Sequence, residues 1–593
     1  MRSWLFPAAA SAAAAHGEDE EEGAALVQPP PTPGEKEDGI VVIDGGGGAD
    51  EQRQPPAAAN RAPWWWSWSG GGGRWRWPPG SGTKGVGLVA GGLVFLAGLF
   101  LLAGAACRSS GSCRWINVDS SSFLLGRDGI SISDHHGRRP PHHSPSSPAD
   151  LVPIPFTCGN ASSSSGKCRR RVAAASPPPS SAAPPSSSSA PRRAPPPRCP
   201  DYFRYIHSDL APWRETGITR EAVERGRDRA AFRLVVAGGR AYVETYHRVF
   251  QTRDTFTQWG IAQLLARYPG RVPDLDLMFN CEDMPEVRAA DFPAPSAAPP
   301  LFRYCKDDAT LDVVFPDWSF WGWPEINIRP WAPLLEEMAG ECRRLPWPAR
   351  APYAEWKGNP GVSAARGDLL RCNVSGEADW NARVFAQDWD AAARAGFKNS
   401  NLARQCDYRY KIFVQGRSWS VSEKYILACD SPALLVATPF RDFFSRGLVA
   451  GRHYWPVEHS PEMCAAVKFA VDWGNAHPAQ ARRMASEGSG FAREEVSMDY
   501  VYDYMLHLLT EYAKLLRYKP TVPENAVELC PEAVACPARG RERQFMMESR
   551  ERFVADYEPC ALPPPFTAGE LREMARREEE VRRRVHRMME EQS

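Results

Sequence analysis

The sequence has no excess of charge of either sign, because 71 Lys and Arg residues balance 71 Asp and Glu residues. Nucleic-acid-binding proteins usually carry a basic excess, so the composition gives no sign of a nucleic-acid partner. Charge is also missing locally, since residues 85–107 include no charged side chain. An apolar run of about 20 residues is enough to cross a bilayer. We therefore predict one transmembrane helix at 85–107.

Cysteine is absent before Cys107, although the chain has 15 cysteines. None of them forms the paired CxxC spacing of zinc sites. Cysteines spread through a later, globular region are typical of an oxidising compartment. The spacing does not define which cysteines pair. Two sequons beyond the apolar run, at Asn160 and Asn373, agree with a lumenal location, and we expect both to be glycosylated. The chain is thus predicted to be a single-pass type II membrane protein.

Periodic patterns are absent from most of the first 198 residues. Residues 1–84 are rich in Ala, Pro and Gly and are predicted to form a disordered cytoplasmic tail. Residues 108–198 are rich in Ser, Pro and basic residues and are predicted to form a flexible stem. The globular part begins near Cys199.

One stretch of the globular part has the pattern of a strand, a loop, a helix and a second strand. It spans 411–437, and its loop holds Ser420 and Glu423 at the spacing of a capping box, which predicts a helix from Val421. Strand–helix–strand units build parallel α/β sheets. The helix N-terminus and its hydroxyls would suit a diphosphate. An ordinary capped helix is the alternative.

This stretch, FVQGRSWSVSEKYILACDS, resembles the signature segment of glycosyltransferase family 90, which includes protein O-glucosyltransferases and fungal capsule xylosyltransferases. The likeness extends over about Cys199 to Pro520 and is closest to plant members. It implies a GT-B-like α/β fold with two Rossmann-like lobes facing a cleft, preceded by the tail, the transmembrane helix and the stem. The first lobe, 199–340, would supply the base; the second, 341–545, would bind the nucleotide-sugar, and 546–593 would form a charged helical tail.

The predicted catalytic base follows a buried strand at Leu275–Phe279. Ligands of α/β proteins gather at the carboxyl ends of such strands. The resemblance implies that Asp283 is the general base that removes the proton of the acceptor hydroxyl. Glu282 is the neighbouring alternative, and the register with Pro285 favours Asp283. From local sequence alone, Asp283 would instead be an aspartate that caps a turn.

The resemblance also implies the substrate contacts. It places the acceptor at Arg253, Trp318, Ser319 and Trp321, and the donor at Phe320, Lys357, Gly358, Asn359, Arg366, Arg417, Ser418, Trp419, Ser420, Val421 and Ser422. Ser422 stands where the animal O-glucosyltransferases have an arginine, so the donor sugar is left open between glucose, xylose and others.

Two Asp-x-Asp motifs raise the question of a metal ion. They lie at Asp274–Asp276 and Asp388–Asp390. In metal-dependent transferases such a pair holds a divalent cation against the diphosphate. The motif is short and frequent by chance, and the family that the chain resembles works without a metal. We predict no metal and no cofactor.

Taken together, the resemblance implies an inverting transferase that moves glucose or xylose from a UDP-sugar to a hydroxyl of a glycan or protein. The alternative is an inactive, membrane-tethered lumenal protein that binds glycans or proteins with the same fold. The chain ends in Glu591-Gln592-Ser593 without an ER-retention signal. We therefore expect the Golgi membrane, with the endoplasmic reticulum as the alternative.

Overall fold

The computed structural model describes residues 151–158, 168 and 196–591, all within one compact unit, Ser131–Ser593. The predicted tail at 1–84, the predicted span at 85–107 and the sequon at Asn160 lie outside the described residues. Among the helices that are described, none is both long enough and apolar enough to cross a membrane.

Two β-sheets organise the described part of the chain. The strands are β1 Phe232–Ala237, β2 Arg240–Thr245, β3 Leu275–Phe279, β4 Leu301–Arg303, β5 Val313–Val314, β6 Ala351–Gly358, β7 Ala382–Ala386, β8 Tyr408–Phe413, β9 Ala433–Val436, β10 Tyr454–Val457 and β11 Val527–Leu529. The first sheet has the strand order β11-β2-β1-β3-β4-β5, and the second has the order β10-β9-β8-β6-β7. Two α/β lobes are therefore confirmed.

Helices surround both sheets. The α-helices are α1 Tyr205–Asp209, α2 Arg220–Glu224, α3 Arg253–Arg267, α4 Trp331–Arg344, α5 Ala364–Leu369, α6 Trp389–Arg394, α7 Ser422–Ala428, α8 Met463–Ala476, α9 Pro478–Gly490, α10 Met498–Leu515, α11 Pro531–Ala535, α12 Gly540–Glu548 and α13 Ala568–Glu590. Short 3-10 turns join them, including one at Trp318–Phe320.

The second sheet is parallel throughout and doubly wound. Numbered within the sheet, its strand order is 2-1-3-4-5, so the order reverses between β6 and β8. In such sheets the crevice outside the carboxyl ends at the reversal is the usual ligand site. Buried residues Ile412 and Phe413 hold β8 in the centre of the sheet. The predicted strand–loop–helix–strand unit is present here, as β8, α7 and β9.

The first sheet is mixed and so differs from the Rossmann-like sheet that the resemblance implies. β1 pairs antiparallel with β2 and with β3, whereas β3, β4 and β5 run parallel. The tight connection between β1 and β2 is made by Gly238 and Gly239, which take positive φ angles of 58° and 75°. Only the parallel half of this sheet can present strand ends to a cleft.

The lobes do not follow the predicted boundaries throughout. β11 belongs to the predicted second lobe, 341–545, yet it pairs with β2 in the first sheet. The preceding helix α10 also packs on the first lobe, where the Tyr512 hydroxyl donates to the Asp276 carbonyl oxygen at 2.9 Å. The chain thus returns to the first lobe before its C-terminus, because the apolar face of α10 is buried there.

The predicted capping box before α7 does not form. The helix begins at Ser422, one residue later than predicted, and no side chain caps it. Glu423 is buried instead of capping the helix, and burial raises the pKa of its carboxyl group well above the usual value. Ser420 accepts from the Ser422 main-chain N–H at 3.4 Å, which is only a weak contact.

The C-terminal helix α13 is highly charged, as predicted, and has no fully buried residue. It does have a capping box, in which Thr567 and Glu570 exchange hydrogen bonds. One side of the helix is not simply solvated, because Val585 and Met588 pack against the core of the second lobe. Near its start, Glu570 pairs with Arg204 at 2.9 Å.

Part of the predicted stem belongs to the folded body. Five disulfides join ten of the described cysteines: Cys158–Cys536, Cys168–Cys530, Cys199–Cys560, Cys372–Cys464 and Cys406–Cys429. Two of them fix stem residues to the segment after β11. In addition, Ile154 donates its main-chain N–H to the Arg552 carbonyl oxygen at 2.8 Å. Of the predicted stem at 108–198, residues 151–158 and Cys168 are therefore anchored to the first lobe.

Replacing both Cys158 and Cys536 by Ser is expected to lower the free energy of unfolding by about 2–4 kcal/mol, the usual contribution of a disulfide that closes a long loop. Chemical denaturation would measure the loss. Cys342→Ala is the control, since Cys342 is buried and makes no disulfide. A double Ser variant that unfolds at the same denaturant concentration as the parent would show that this bond is not a stabilising link.

Candidate active site

The side chain of Arg366, on α5, crosses the crevice of the second sheet. Its Nε donates to the Gln415 carbonyl oxygen at 2.9 Å, and one terminal nitrogen donates to the Asn359 carbonyl oxygen at 3.1 Å. The other terminal nitrogen donates to Ser420 Oγ at 3.1 Å. Arg366 therefore joins the loop after β6 to the loop after β8, at the reversal of strand order.

Within the described residues, no carboxylate neutralises the charge of Arg366. Its three hydrogen-bond acceptors are all uncharged, and the pKa of the guanidinium is lowered to about 10 because burial removes water from it. A pKa near 10 leaves the group protonated at neutral pH. A desolvated cation without a counter-ion is a natural partner for an anionic ligand, and a guanidinium matches phosphate oxygens in geometry.

The loop after β8 brings further donors to the same place. Gly416 lies so close to the Trp419 carbonyl oxygen that a Cβ would stand 2.7 Å from it, which explains the need for glycine. Ser420 Oγ and Ser422 Oγ are 2.9 Å apart. Arg417 is exposed, and its side chain makes no hydrogen bond or ion pair with the residues that are described. Val421 precedes the helix as its N-cap residue.

The predicted base lies at the carboxyl end of β3, on the first lobe. Asp283 is partly exposed, with 29% of its side-chain surface open, and its Oδ1 accepts from Arg253 at 2.8 Å. The loop is held by Asn280, whose Oδ1 accepts from the Glu282 main-chain N–H at 2.7 Å. Glu282 itself is exposed. Arg253 was predicted to contact the acceptor, whereas its charged end is paired with Asp283.

A direct contact joins the base loop to the loop after β8. Ser418 Oγ donates to the Asp283 carbonyl oxygen at 2.6 Å. The Cys305 thiol lies beside both, 3.4 Å from that carbonyl oxygen and 3.5 Å from Ser418 Oγ, and burial raises its pKa to about 12. The thiol therefore stays protonated and acts as a hydrogen-bond donor. Ser418, which bonds the base loop, is two residues from Ser420, which bonds Arg366. The base loop and the Arg366 crevice are therefore neighbours.

The aromatic residues predicted to contact the acceptor and the donor at 318–321 are mostly buried. Trp318 lies beneath Arg253, whose guanidinium carbon is 4.6 Å from the ring. Phe320 and Trp321 have no exposed surface, and the Trp321 indole donates to the Tyr502 hydroxyl at 2.9 Å. These two side chains support the fold and do not line an open surface.

Ser319 leads to a buried lysine that sequence reasoning missed. Lys424 of α7 donates to Ser319 Oγ at 2.7 Å, and its Nζ lies 3.6 Å from Asp317 Oδ2 and 4.4 Å from the centre of the Phe320 ring. Burial lowers the pKa of Lys424. The lysine comes from the second lobe and its partners from the first. The sequence did contain a signal for this role, because Lys424 is a charged residue within a short, mostly apolar helix.

Three further residues predicted to bind the donor surround the end of β6. Lys357 is half-buried and donates to the Asn399 carbonyl oxygen at 2.5 Å. A Cβ at Gly358 would stand 2.7 Å from the Trp356 ring, so only glycine fits. Asn359 Oδ1 accepts from the Gly361 main-chain N–H at 2.9 Å. Lys357 is engaged with the protein itself, while Asn359 shapes the loop that Arg366 reaches.

The Asp-x-Asp motifs both have structural roles. Asp274 Oδ1 accepts from the Gly238 main-chain N–H at 2.7 Å, and Asp276 is buried between Arg233 and Tyr518. Asp388 caps α6 by accepting from Ala391. The first pair belongs to the first sheet, and the second follows β7 of the second sheet, where the Gln387 main-chain N–H donates to the Gly358 carbonyl oxygen at 2.7 Å.

Within the described residues, one group has a spacing that could hold a metal ion. It consists of Cys199, His507 and Cys560. Cys199 and Cys560 are joined as a disulfide, so their sulfur atoms are not available as thiolate ligands.

In the sequon at Asn373, the side-chain amide oxygen accepts a hydrogen bond from the protein. Asn373 Oδ1 accepts from the Val384 main-chain N–H at 3.0 Å, and the residue is only half-buried. The amide nitrogen, to which a glycan is attached, makes no hydrogen bond within the described part of the chain. This sequon is therefore compatible with glycosylation.

The arrangement combines two chemical abilities. The crevice between β6 and β8 offers a cation and hydroxyl donors for an anionic group. The base loop offers a carboxylate, and the Ser418 hydrogen bond joins this loop to the loop after β8. A substrate whose diphosphate lies at Arg366 would extend its other end toward Asp283. A carboxylate in that position can remove a proton from an attacking hydroxyl.

Comparisons with known proteins identify the family of the chain. The model of the family described as Glycosyl transferase family 90 matches residues 194–589. The chain is similar to the O-glucosyltransferase rumi of Drosophila melanogaster, with 25% identity over 349 residues, which cover 56% of this chain and 82% of that protein. It is also similar to the Protein O-glucosyltransferase 1 of Bos taurus, with 26% identity over 57% of this chain and 86% of that protein. The human protein of that name is 26% identical over 56% and 85%.

Proposed function

The chain belongs to glycosyl transferase family 90, and from this membership we propose that it transfers a sugar from a UDP-sugar to an acceptor hydroxyl on a glycan or a protein. The observation that carries the proposal is the contact between the two loops. Ser418 bonds the loop of Asp283, and two residues later Ser420 bonds the uncompensated Arg366. This contact brings the loop of Asp283 next to the loop that bonds Arg366, which supports the proposal that one substrate reaches both the cation and the carboxylate.

In the proposed reaction, the diphosphate of the donor lies at Arg366 and the N-terminal end of α7. Asp283 accepts the proton of the acceptor hydroxyl while its oxygen attacks the anomeric carbon, and the bond between that carbon and the diphosphate oxygen breaks. A single displacement of this kind inverts the anomeric centre. Arg366 stabilises the charge that develops on the departing UDP, because its donors are already in place. This role needs no metal ion.

The donor and the compartment are parts of the same proposal. The relatives named above support glucose as the transferred sugar, with xylose as the second candidate because Ser422 stands where the animal enzymes have an arginine. Five disulfides support an oxidising compartment of the secretory pathway. We propose a type II Golgi membrane protein that is held by the apolar run at 85–107.

A screen of UDP-sugars against glycan and peptide acceptors tests the proposed transfer. The purified chain is expected to release UDP when UDP-glucose or UDP-xylose meets a suitable acceptor, and the product is expected to carry the inverted linkage. Binding of UDP without turnover of any UDP-sugar, alone or with acceptors, would favour the inactive binding protein of the same fold.

Replacing Arg366 by Gln is expected to raise the Kd for UDP by about 10- to 100-fold, because hydrogen bonds to charged groups contribute about 1.5–3 kcal/mol. Isothermal titration calorimetry with UDP measures it. Arg371→Gln is the matched control, since Arg371 follows the same helix, is 67% exposed and pairs only with Asp368. The role of Arg366 would be refuted if both variants bound UDP like the parent while melting at its temperature.

A further inference from the structure

Two buried indole N–H groups lack hydrogen-bond acceptors, and both lie at the junction of the two loops. In the described residues, the indole nitrogens that are buried without a partner are those of Trp318 and Trp419. The two side chains are 1% and 6% exposed. Their rings meet edge to face across the lobes, with centroids 6.1 Å apart and an angle of 83° between the ring planes.

Other buried tryptophans of this chain do not share the defect. Five of them donate to an acceptor at 2.8–2.9 Å: Trp213, Trp259, Trp321, Trp331 and Trp347. A buried donor without an acceptor is costly, and native proteins tolerate it mainly where another molecule completes the bond. The two exceptions are therefore confined to one place, and that place is the proposed site.

The neighbours of Trp419 define what could supply the acceptors. Ser418 before it bonds the loop of Asp283, and Ser420 after it bonds Arg366. Trp419 thus lies between the proposed base and the proposed diphosphate site. In a nucleotide-sugar, the diphosphate oxygen is bonded directly to the anomeric carbon of the sugar, so the sugar ring is the group that lies next to the diphosphate on the side of the base. The oxygens of that ring accept hydrogen bonds.

We propose that the indole N–H groups of Trp318 and Trp419 bind hydroxyl oxygens of the transferred sugar. The inference rests on the proposed function and deepens it by assigning the recognition of the sugar. Ser422 has replaced the arginine of the animal enzymes, and the paired indoles supply neutral donors near that position. Neutral N–H donors suit an uncharged hexose or pentose better than a sugar acid, which would call for a cation.

Access to the two nitrogens depends on the contact between the lobes. Both are covered while Ser418 Oγ bonds the Asp283 carbonyl oxygen. For the sugar to enter, the loops of Ser418 and Asp283 must separate locally, and its hydroxyls then complete the two indole bonds. The aromatic rings around them, Tyr304 and Trp323, stay in place as packing partners of Trp318 at 5.0 Å and 4.9 Å.

The test compares the affinities of UDP, UDP-glucose and UDP-xylose for the full chain and for Trp419→Phe, which keeps an aromatic ring and removes the N–H. We expect Kd for the sugar nucleotide that the parent prefers to rise about 3- to 10-fold, the worth of one neutral hydrogen bond, while Kd for UDP stays unchanged. A deoxy analogue that lacks the bonded hydroxyl should bind the parent and the variant equally well.

Two controls separate the lost N–H from the change of size. Trp347→Phe makes the same replacement at an indole that bonds the Arg409 carbonyl oxygen, at the opposite end of the sheet, and it should leave all three affinities unchanged. Benzothienylalanine at position 419 replaces N–H by sulfur in a ring of nearly the same shape, so it should reproduce the selective loss even if the Phe variant folds poorly.

The possible outcomes are distinct. Equal affinities for the parent and the benzothienylalanine variant would overturn the inference and mean that the indoles only pack on the neighbouring rings. An equal loss for UDP and UDP-sugar would overturn it as well, since the effect would then not involve the sugar. If the parent did not bind UDP at all, the proposed function itself would fail.

Discussion

Replacing Asp283 by Asn is expected to lower kcat by about 10²- to 10⁴-fold, the usual contribution of a general base. The amide keeps nearly the shape of the carboxylate and can still accept the hydrogen bond from Arg253, but it cannot take a proton. The Kd for UDP should change little, because the nucleotide is proposed to lie at Arg366. Single-turnover transfer and UDP titration measure the two quantities separately.

The neighbouring carboxylate provides the control. The Glu282 side chain is exposed and makes no hydrogen bond or ion pair in the part of the chain that the structure describes. Glu282→Gln should therefore keep the parental kcat. If Glu282→Gln lost transfer while Asp283→Asn kept it, the base would be assigned to the wrong residue. Because Arg253 is buried beside Asp283, melting temperatures of both variants are needed to show that the fold is intact.

Replacing Lys424 by Met is expected to lower the free energy of unfolding by about 3–5 kcal/mol, the effect of removing one member of a buried ion pair. Asp317 is 2% exposed and would lose its cation, and Ser319 would lose the hydrogen bond from the second lobe. Since the lysine and its partners come from different lobes, the loss should also weaken the contact between the lobes. Chemical denaturation measures the change.

An exposed lysine serves as the comparison. Lys468 pairs with Asp472 one turn away on α8, with both side chains open to solvent. Lys468→Met should cost only about 0.3–0.5 kcal/mol, as is usual for such helix pairs. Adding Asp317→Asn to Lys424→Met should restore part of the stability, because the uncompensated carboxylate is then removed. Equal costs for the two lysine variants would show that the buried pair does not hold the lobes together.

These two substitutions act on the same junction in different ways. Asp283 lies beside the Ser418 contact, where the proposed chemistry takes place, and Lys424 lies on the buried side of the helix that follows the same loop. Lys424→Met is therefore expected to change stability first and activity with it, whereas the main effect of Asp283→Asn should be on activity.

Local patterns in the sequence were sufficient to predict most elements around the site. The strand at Leu275–Phe279 has the predicted bounds, and the predicted strand–loop–helix–strand unit at 411–437 is present as β8, α7 and β9. Continuous apolar runs act over a few residues, so they can be read directly. The capping box at Ser420 and Glu423 was wrong for the opposite reason: tertiary burial of Glu423 overrode the local preference.

The sequence by itself determined the family signature, the α/β elements and the candidate carboxylate, because these depend on residue types at short spacing. Only the tertiary structure decided that Arg366 has no counter-ion among the described residues, that Lys424 joins the lobes, and that β11 and the stem residue Cys158 belong to the first lobe. Each of these facts depends on residues that are distant in the chain and adjacent in space. Such contacts arise from the packing of whole elements, which no local pattern encodes.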